Sequence, residues 1–169
     1  MNKRTIPTVL LLGAFVLAGC QREEAVGPTE LTGRIFVFNY RVSTATYLVT
    51  LKKTGDIPEG TVAIAEFENP MGGEPLVTRE KIFPFWQKID LESPALHCVV
   101  KDRPYAITVR LVGPDENTLQ TIETTVTSDL DQTTLAAKPL VVGPAYERNP
   151  EVFKDQGKAD YSPDPLCRT

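Results

Sequence analysis

One histidine, His97, serves all 169 residues of this chain. Histidine is the commonest metal ligand and a frequent general base, and a single imidazole excludes any site built on two or three of them. No glycine-rich phosphate loop and no G-x-S-x-G turn occur. The acidic stretches Asp129-Leu130-Asp131 and Pro114–Asn117 lack the glycine and distal glutamate of a calcium loop, so they read as solvated turns. Basic side chains are few as well. Lys and Arg number 18 against 22 Asp and Glu, a net charge of −4, which argues against nucleic acid as a partner. No internal repeat and no low-complexity tract is present. No apolar run reaches the roughly 20 residues that a spanning helix needs.

What remains of reactive chemistry is thin. His97 adjoins Cys98, but neighbours in sequence point to opposite faces of a strand and diverge by about 100° on a helix, so the pair does not form a dyad. Glu66 with Glu68 and Asp90 with Glu92 are carboxylates two residues apart, the spacing of one solvent-facing side of a strand. No catalytic residue, metal site, cofactor or small-molecule substrate is assigned. The expectation is a protein that is not an enzyme.

The longest apolar run, Val9 to Gly19, stops at a cysteine. Ahead of it stands the basic lead Met1-Asn2-Lys3-Arg4, and its last residues are Leu17-Ala18-Gly19-Cys20. A charged lead, a short apolar stretch and small residues at the end are the layout of a secretory signal peptide. The last four resemble the lipobox of bacterial lipoproteins, in which the chain is cut before the cysteine and its sulfur carries a diacylglycerol. Residues 1–19 are therefore expected to be removed and Cys20 to be lipidated. The protein would then be anchored rather than spanning. Residue 21 is Gln rather than Asp. In enteric-type sorting, Asp after the lipidated cysteine retains a protein at the inner membrane. Its absence points to the outer membrane, with the domain facing the periplasm.

Cleavage would remove Lys3 and Arg4, leaving 16 basic against 22 acidic side chains, a net charge of −6. Cys98 and Cys167 then remain for the oxidising periplasm, where leftover thiols most often pair. A bridge between them is the expectation; one buried and one terminal free thiol is the alternative.

Residues 20–30 carry no apolar periodicity and read as the lipidated cysteine and a tether. From Leu31 the texture becomes β-branched and aromatic. Ile35 and Val37 fall on one face and Phe36 and Phe38 on the other, which suits a strand covered on both sides or lying at a sheet junction. Tyr47, Val49 and Leu51 alternate in the next strand, and Val62 to Glu68 form another. Residues 76–91 read as one or two strands broken near Pro84. Tyr105, Ile107, Val109 and Leu111 give the cleanest alternation in the chain, and Ile122, Thr124 and Val126 alternate in its hairpin partner. Residues 138–143 form a last short strand. Gly72-Gly73 suits a tight reversal. Phe83, Phe85 and Trp86 read as core packing rather than a ligand platform. Only two stretches have room for a helix, each of about one to two turns: Ser93–Val100, with Ser93 as a candidate cap, and Ser128–Ala137, with Ser128 or Asp129 as the cap. The sum is an all-β fold, a compact β-sandwich of about seven to eight short strands over residues 31–142. An irregular proline-rich tail occupies 143–169.

Read together, Ile57-Pro58-Glu59-Gly60, Glu74-Pro75, Pro84-Phe85-Trp86, the strand Tyr105 to Leu111, and Gly33 resemble the YbaY-type lipoproteins, which belong with the YscW-like pilotins, the type III secretion lipoprotein chaperones. The chain departs from that pattern by additional residues between Gly33 and Pro58, enough for the strand at Ala45–Lys53, and by its cysteine-bearing tail. The resemblance implies a β-sandwich without an active site. It also implies a partner: the C-terminal segment of a secretin, the ring-forming outer-membrane channel subunit, or another envelope protein. The alternative is a structural or stress-related envelope lipoprotein with no dedicated peptide partner.

Overall fold

The structure is a computed structural model that describes residues 27–154 and 158–167. It is all β, as the alternation predicts. Strands β1 (Thr29–Asn39), β2 (Thr44–Lys53) and β5 (Lys88–Glu92) form one antiparallel sheet in the order β1-β2-β5. Strands β4 (Leu76–Lys81), β3 (Val62–Phe67), β6 (Pro104–Val112) and β7 (Thr118–Thr127) form the second, in the order β4-β3-β6-β7. A short hairpin of two-residue strands, β8 (Val141–Val142) with β9 (Glu147–Arg148), spans the start of the tail.

Period-2 alternation does most of the assembly. It puts Tyr47, Val49 and Leu51 on the inner face of β2, and Tyr105, Ile107, Val109 and Leu111 on the inner face of β6, all buried. These faces meet through aromatic rings. Tyr47 stacks on Phe67 at 5.3 Å between centroids and packs at 4.6 Å from Phe36. The Tyr47 hydroxyl donates to the Glu68 carbonyl at 2.9 Å, so the buried polar tip has a partner. Desolvation, with Tyr105 and Glu68 close by, raises its pKa well above that of an exposed tyrosine.

The strands define two ends. At the proximal end the chain enters at Gly27 and Pro28, beside the β2–β3 connection, the β4–β5 loop and the β6–β7 turn. At the distal end lie the β1–β2 turn, the β3–β4 loop and the long β5–β6 connection. Gly72 and Gly73 turn the β3–β4 loop at φ 80° and 86°, as expected for a glycine pair in a tight reversal.

Four details differ from the sequence reading. The first strand begins at Thr29 rather than Leu31 and carries a bulge at Thr32. Ser93–Val100 is not helical. The Ser93 hydroxyl accepts from the Tyr47 amide at 3.0 Å and donates to the Pro94 carbonyl at 2.7 Å, while the Leu96 amide donates to the Ala45 carbonyl at 2.8 Å. A residue that could cap a helix instead extends the edge of β2. Ser128–Ala137 holds only a 3-10 turn, Gln132–Thr134, capped by Asp131 rather than by Ser128 or Asp129. Residues 138–143 do yield a strand, β8, but it pairs with β9 in the tail rather than joining the sandwich.

Candidate functional site

Each sheet ends in edge strands, and the two seams between the sheets are closed by side chains rather than by ladders. At one seam the Thr78 hydroxyl of β4 donates to the Glu92 carbonyl of β5 at 2.7 Å. At the other, Gln120 of β7 binds Thr29 of β1, and both side chains are buried. That clamp sits at the proximal end of the seam. Farther along β1, Phe36 and Phe38 lie opposite Tyr47 and Ala45. Those β2 partners are 0% exposed, yet Phe36 and Phe38 are only partly buried. On the outer face of the same four residues, Ile35 is 53% and Val37 37% exposed. The strand is therefore not covered on both sides. It is an edge whose sole ladder partner among the described residues is β2, and residues 35–38 are apolar on both faces.

Edge strands ordinarily carry charge, proline or a covering segment that blocks pairing with another chain. The bulge at Thr32 disturbs only the proximal part of β1. From Ile35 to Phe38 no charged residue interrupts the edge. Sequence reading identified the four apolar residues but not their place at an edge, because pairing order is set by long-range contacts. The informative signal was the apolar outer face in an otherwise acidic chain.

The distal end is closed by the tail. Cys98 and Cys167 have their sulfurs at bonding distance and their Cα atoms 4.8 Å apart. A bridged Cys98 has no thiolate to act as a nucleophile. Beside the bridge, His97 Nδ1 lies 3.4 Å from Asp164 Oδ2, so the single imidazole faces the tail. Gln132 fastens the other side: its amide oxygen accepts from Val99 N at 3.0 Å, and its amide nitrogen donates to the Leu96 carbonyl at 2.7 Å. Asp131 accepts from the Thr133 hydroxyl and amide, which hold its carboxyl below the usual aspartate range. Ser43 and Arg41 of the β1–β2 turn bond the segment that leads into the tail, through the Lys138 carbonyl and the Leu140 amide, each at 2.8 Å.

The carboxylate pairs disperse onto the sheet surfaces. Glu66 pairs with Arg110 at 2.5 Å and Glu68 with Arg103 at 2.6 Å. Asp90 binds the Lys88 ammonium and the Thr50 hydroxyl, which lower its pKa in that order. Among the described residues no three His, Cys, Asp or Glu side chains gather closely enough to hold a metal ion, and no helix is long and apolar enough to cross a membrane.

The aromatic cluster corrects the core reading. Phe83 and Phe85 are 39% and 74% exposed, and only Trp86 is partly buried against the core. Leu17, Ala18, Gly19 and Cys20 lie outside the described residues, as do the signal peptide and most of the tether. Compared with protein-family models and with curated proteins, the chain matches none.

Proposed function

We propose that this protein is a lipid-anchored, non-enzymatic binding module of the bacterial outer membrane, facing the periplasm, which takes an extended segment of an envelope protein along the edge of β1. The observation that carries this reading is the unguarded run Ile35–Phe38, exposed on its outer face and half-covered on its inner one. A strand added there would complete the backbone bonds of β1, while alternate side chains would meet Phe36 and Phe38 on one face and Ile35 and Val37 on the other. The resemblance to the YscW-like pilotins supplies the class of partner, a secretin C-terminal segment. The sequence at Leu17–Cys20 supplies the anchor.

A photo-crosslinking amino acid at Val37, in intact envelopes, tests the reading. The expected result is a discrete adduct with one envelope protein. The adduct disappears when Ile35 is changed to Lys, and it is absent with the crosslinker at Thr121 on the outer face of β7. Val37 adducts no more discrete than those from Thr121 would remove the peptide-binding reading and favour a structural envelope lipoprotein with no dedicated partner. Labelled palmitate that enters the wild type but not Cys20→Ser is the result expected for the anchor. Equal labelling of both removes it.

A further inference from the structure

The proximal end joins three features that no part of the peptide-binding reading uses. The first is the point where the chain arrives. Both Thr54 N and Gly55 N donate to the Pro28 carbonyl, at 2.9 and 3.1 Å. The second is the β4–β5 loop, whose last carbonyl, Gln87, accepts from Lys53 N at 3.0 Å. Pro28 and Gln87 thus flank the end of β2 on its two sides, about 10 Å apart at two strand spacings. The third is what that loop displays. Ile82 is buried and roots it, the Trp86 amide donates to the Phe83 carbonyl at 2.9 Å to turn it, and the Lys53 ammonium holds the Pro84 carbonyl at 2.5 Å. Rooted in this way, the turn presents Phe83 and Phe85, with ring centroids 5.6 Å apart, and Phe83 lies 5.2 Å from Trp86.

We infer that this loop is a second membrane contact, with Phe83, Phe85 and Trp86 resting in the interfacial region of the phospholipid bilayer to which Cys20 is anchored. The inference rests on the anchor reading and is independent of the peptide edge. Six residues separate Cys20 from Gly27, and the seven Cα steps between them span at most about 25 Å, so the proximal end cannot leave the bilayer far behind. Aromatic rings with an amphipathic tryptophan favour the headgroup level, and lysine stems reach phosphates from beside them. The loop has both. Lys81 sits 5.5 Å from the Phe83 ring centroid, and Lys53 and Lys88 stand at its base. Glu80 and Asp90 share the same open recess, so the contact depends on the rings more than on net charge. Phe83 and Phe85 are exposed side by side, with ring centroids 5.6 Å apart, so they present a contiguous apolar patch rather than a single exposed ring.

Trp86 is the chain's single tryptophan, which makes the test direct. Mature protein is purified from its host membrane, its Cys20 lipid is verified by mass spectrometry, and it is reconstituted into phosphatidylethanolamine–phosphatidylglycerol vesicles with brominated acyl chains. The expected result is blue-shifted Trp86 emission quenched by the bromines. Quenching falls severalfold in Phe85→Ser, and it is absent in a Trp86→Phe, Tyr146→Trp variant that moves the indole into the tail hairpin. Lipidated protein with an unquenched Trp86 overturns the loop contact and leaves the anchor standing. Protein without lipid on Cys20 overturns both. Equal quenching of the indole placed at position 146 overturns the orientation. A Trp86 shielded from iodide in whole envelopes but unquenched in vesicles means that a protein, not lipid, covers the loop.

Discussion

The side-chain amide of Gln120 completes the backbone of Thr29 as a neighbouring strand would. Its oxygen accepts from Thr29 N at 3.1 Å and from the Thr29 hydroxyl at 2.8 Å, and its nitrogen donates to the Thr29 carbonyl at 2.8 Å. One buried side chain thereby closes the seam that no ladder closes.

Gln120→Ala leaves those buried groups of Thr29 without partners. The expected loss is about 2–3 kcal/mol, read by denaturant unfolding. Gly27 belongs to the same unit, because a methyl group there would overlap the Gln120 side chain. Gly27→Ala should destabilise wild type and cost much less in the Gln120→Ala background, the signature of residues that share a contact.

Reducing the Cys98–Cys167 bridge releases a constraint across 69 residues. The chain-entropy estimate is about 4 kcal/mol as an upper figure. Cys98→Ala and Cys167→Ala should lower Tm equally, and the reductant should add nothing to either. Limited proteolysis is expected to clip the tail first, since the sandwich core is built from residues before the tail begins.

Asp131 gives an acid-side signature. Its carboxyl is held below the ordinary value of 3.8 by Thr133, so folding favours the ionised form. That contribution is complete above the unfolded value and is lost as pH falls through the folded one. Asp131→Ala should cost about 1 kcal/mol near neutrality. The gap from wild type should narrow below roughly pH 4 as the native cap protonates, which melts taken across pH will show.

Stability and the peptide edge should separate. Val37→Lys changes an exposed side chain and is expected to move stability by no more than about 0.5 kcal/mol. Leu51→Ala, in the buried face of the adjacent strand, should cost about 2–5 kcal/mol. Comparable losses from both would mean that Val37 is packed rather than displayed.

Much of the sandwich was legible because burial has a period. Tyr47, Val49 and Leu51, then Tyr105 through Leu111, declare one face each, and the structure buries those faces. Pairing order was not legible. Nothing near Ile35 states whether β1 lies in the middle of a sheet or at its edge: β2 follows directly and pairs on one side, but the other side depends on β7, far away in sequence. The same limit explains Ser93, whose hydroxyl suits a helix cap locally but is claimed by Tyr47, 46 positions earlier. Phe85 misled for another reason. Apolarity predicts burial only when the fold leaves room inside, and a loop turning at Pro84 cannot fold both phenylalanines back.

Gly27 and Cys167 leave the sandwich at opposite ends. The strands between them, such as β2 with its 10 residues, span roughly 30 Å. In a molecule standing on its Gly27 end, a dye beside Cys167 would ride about that much higher above a supporting surface than one beside Gly27; in one lying on its side the two would ride level. Energy transfer to a labelled surface would read the molecule's upright or toppled posture as a single distance.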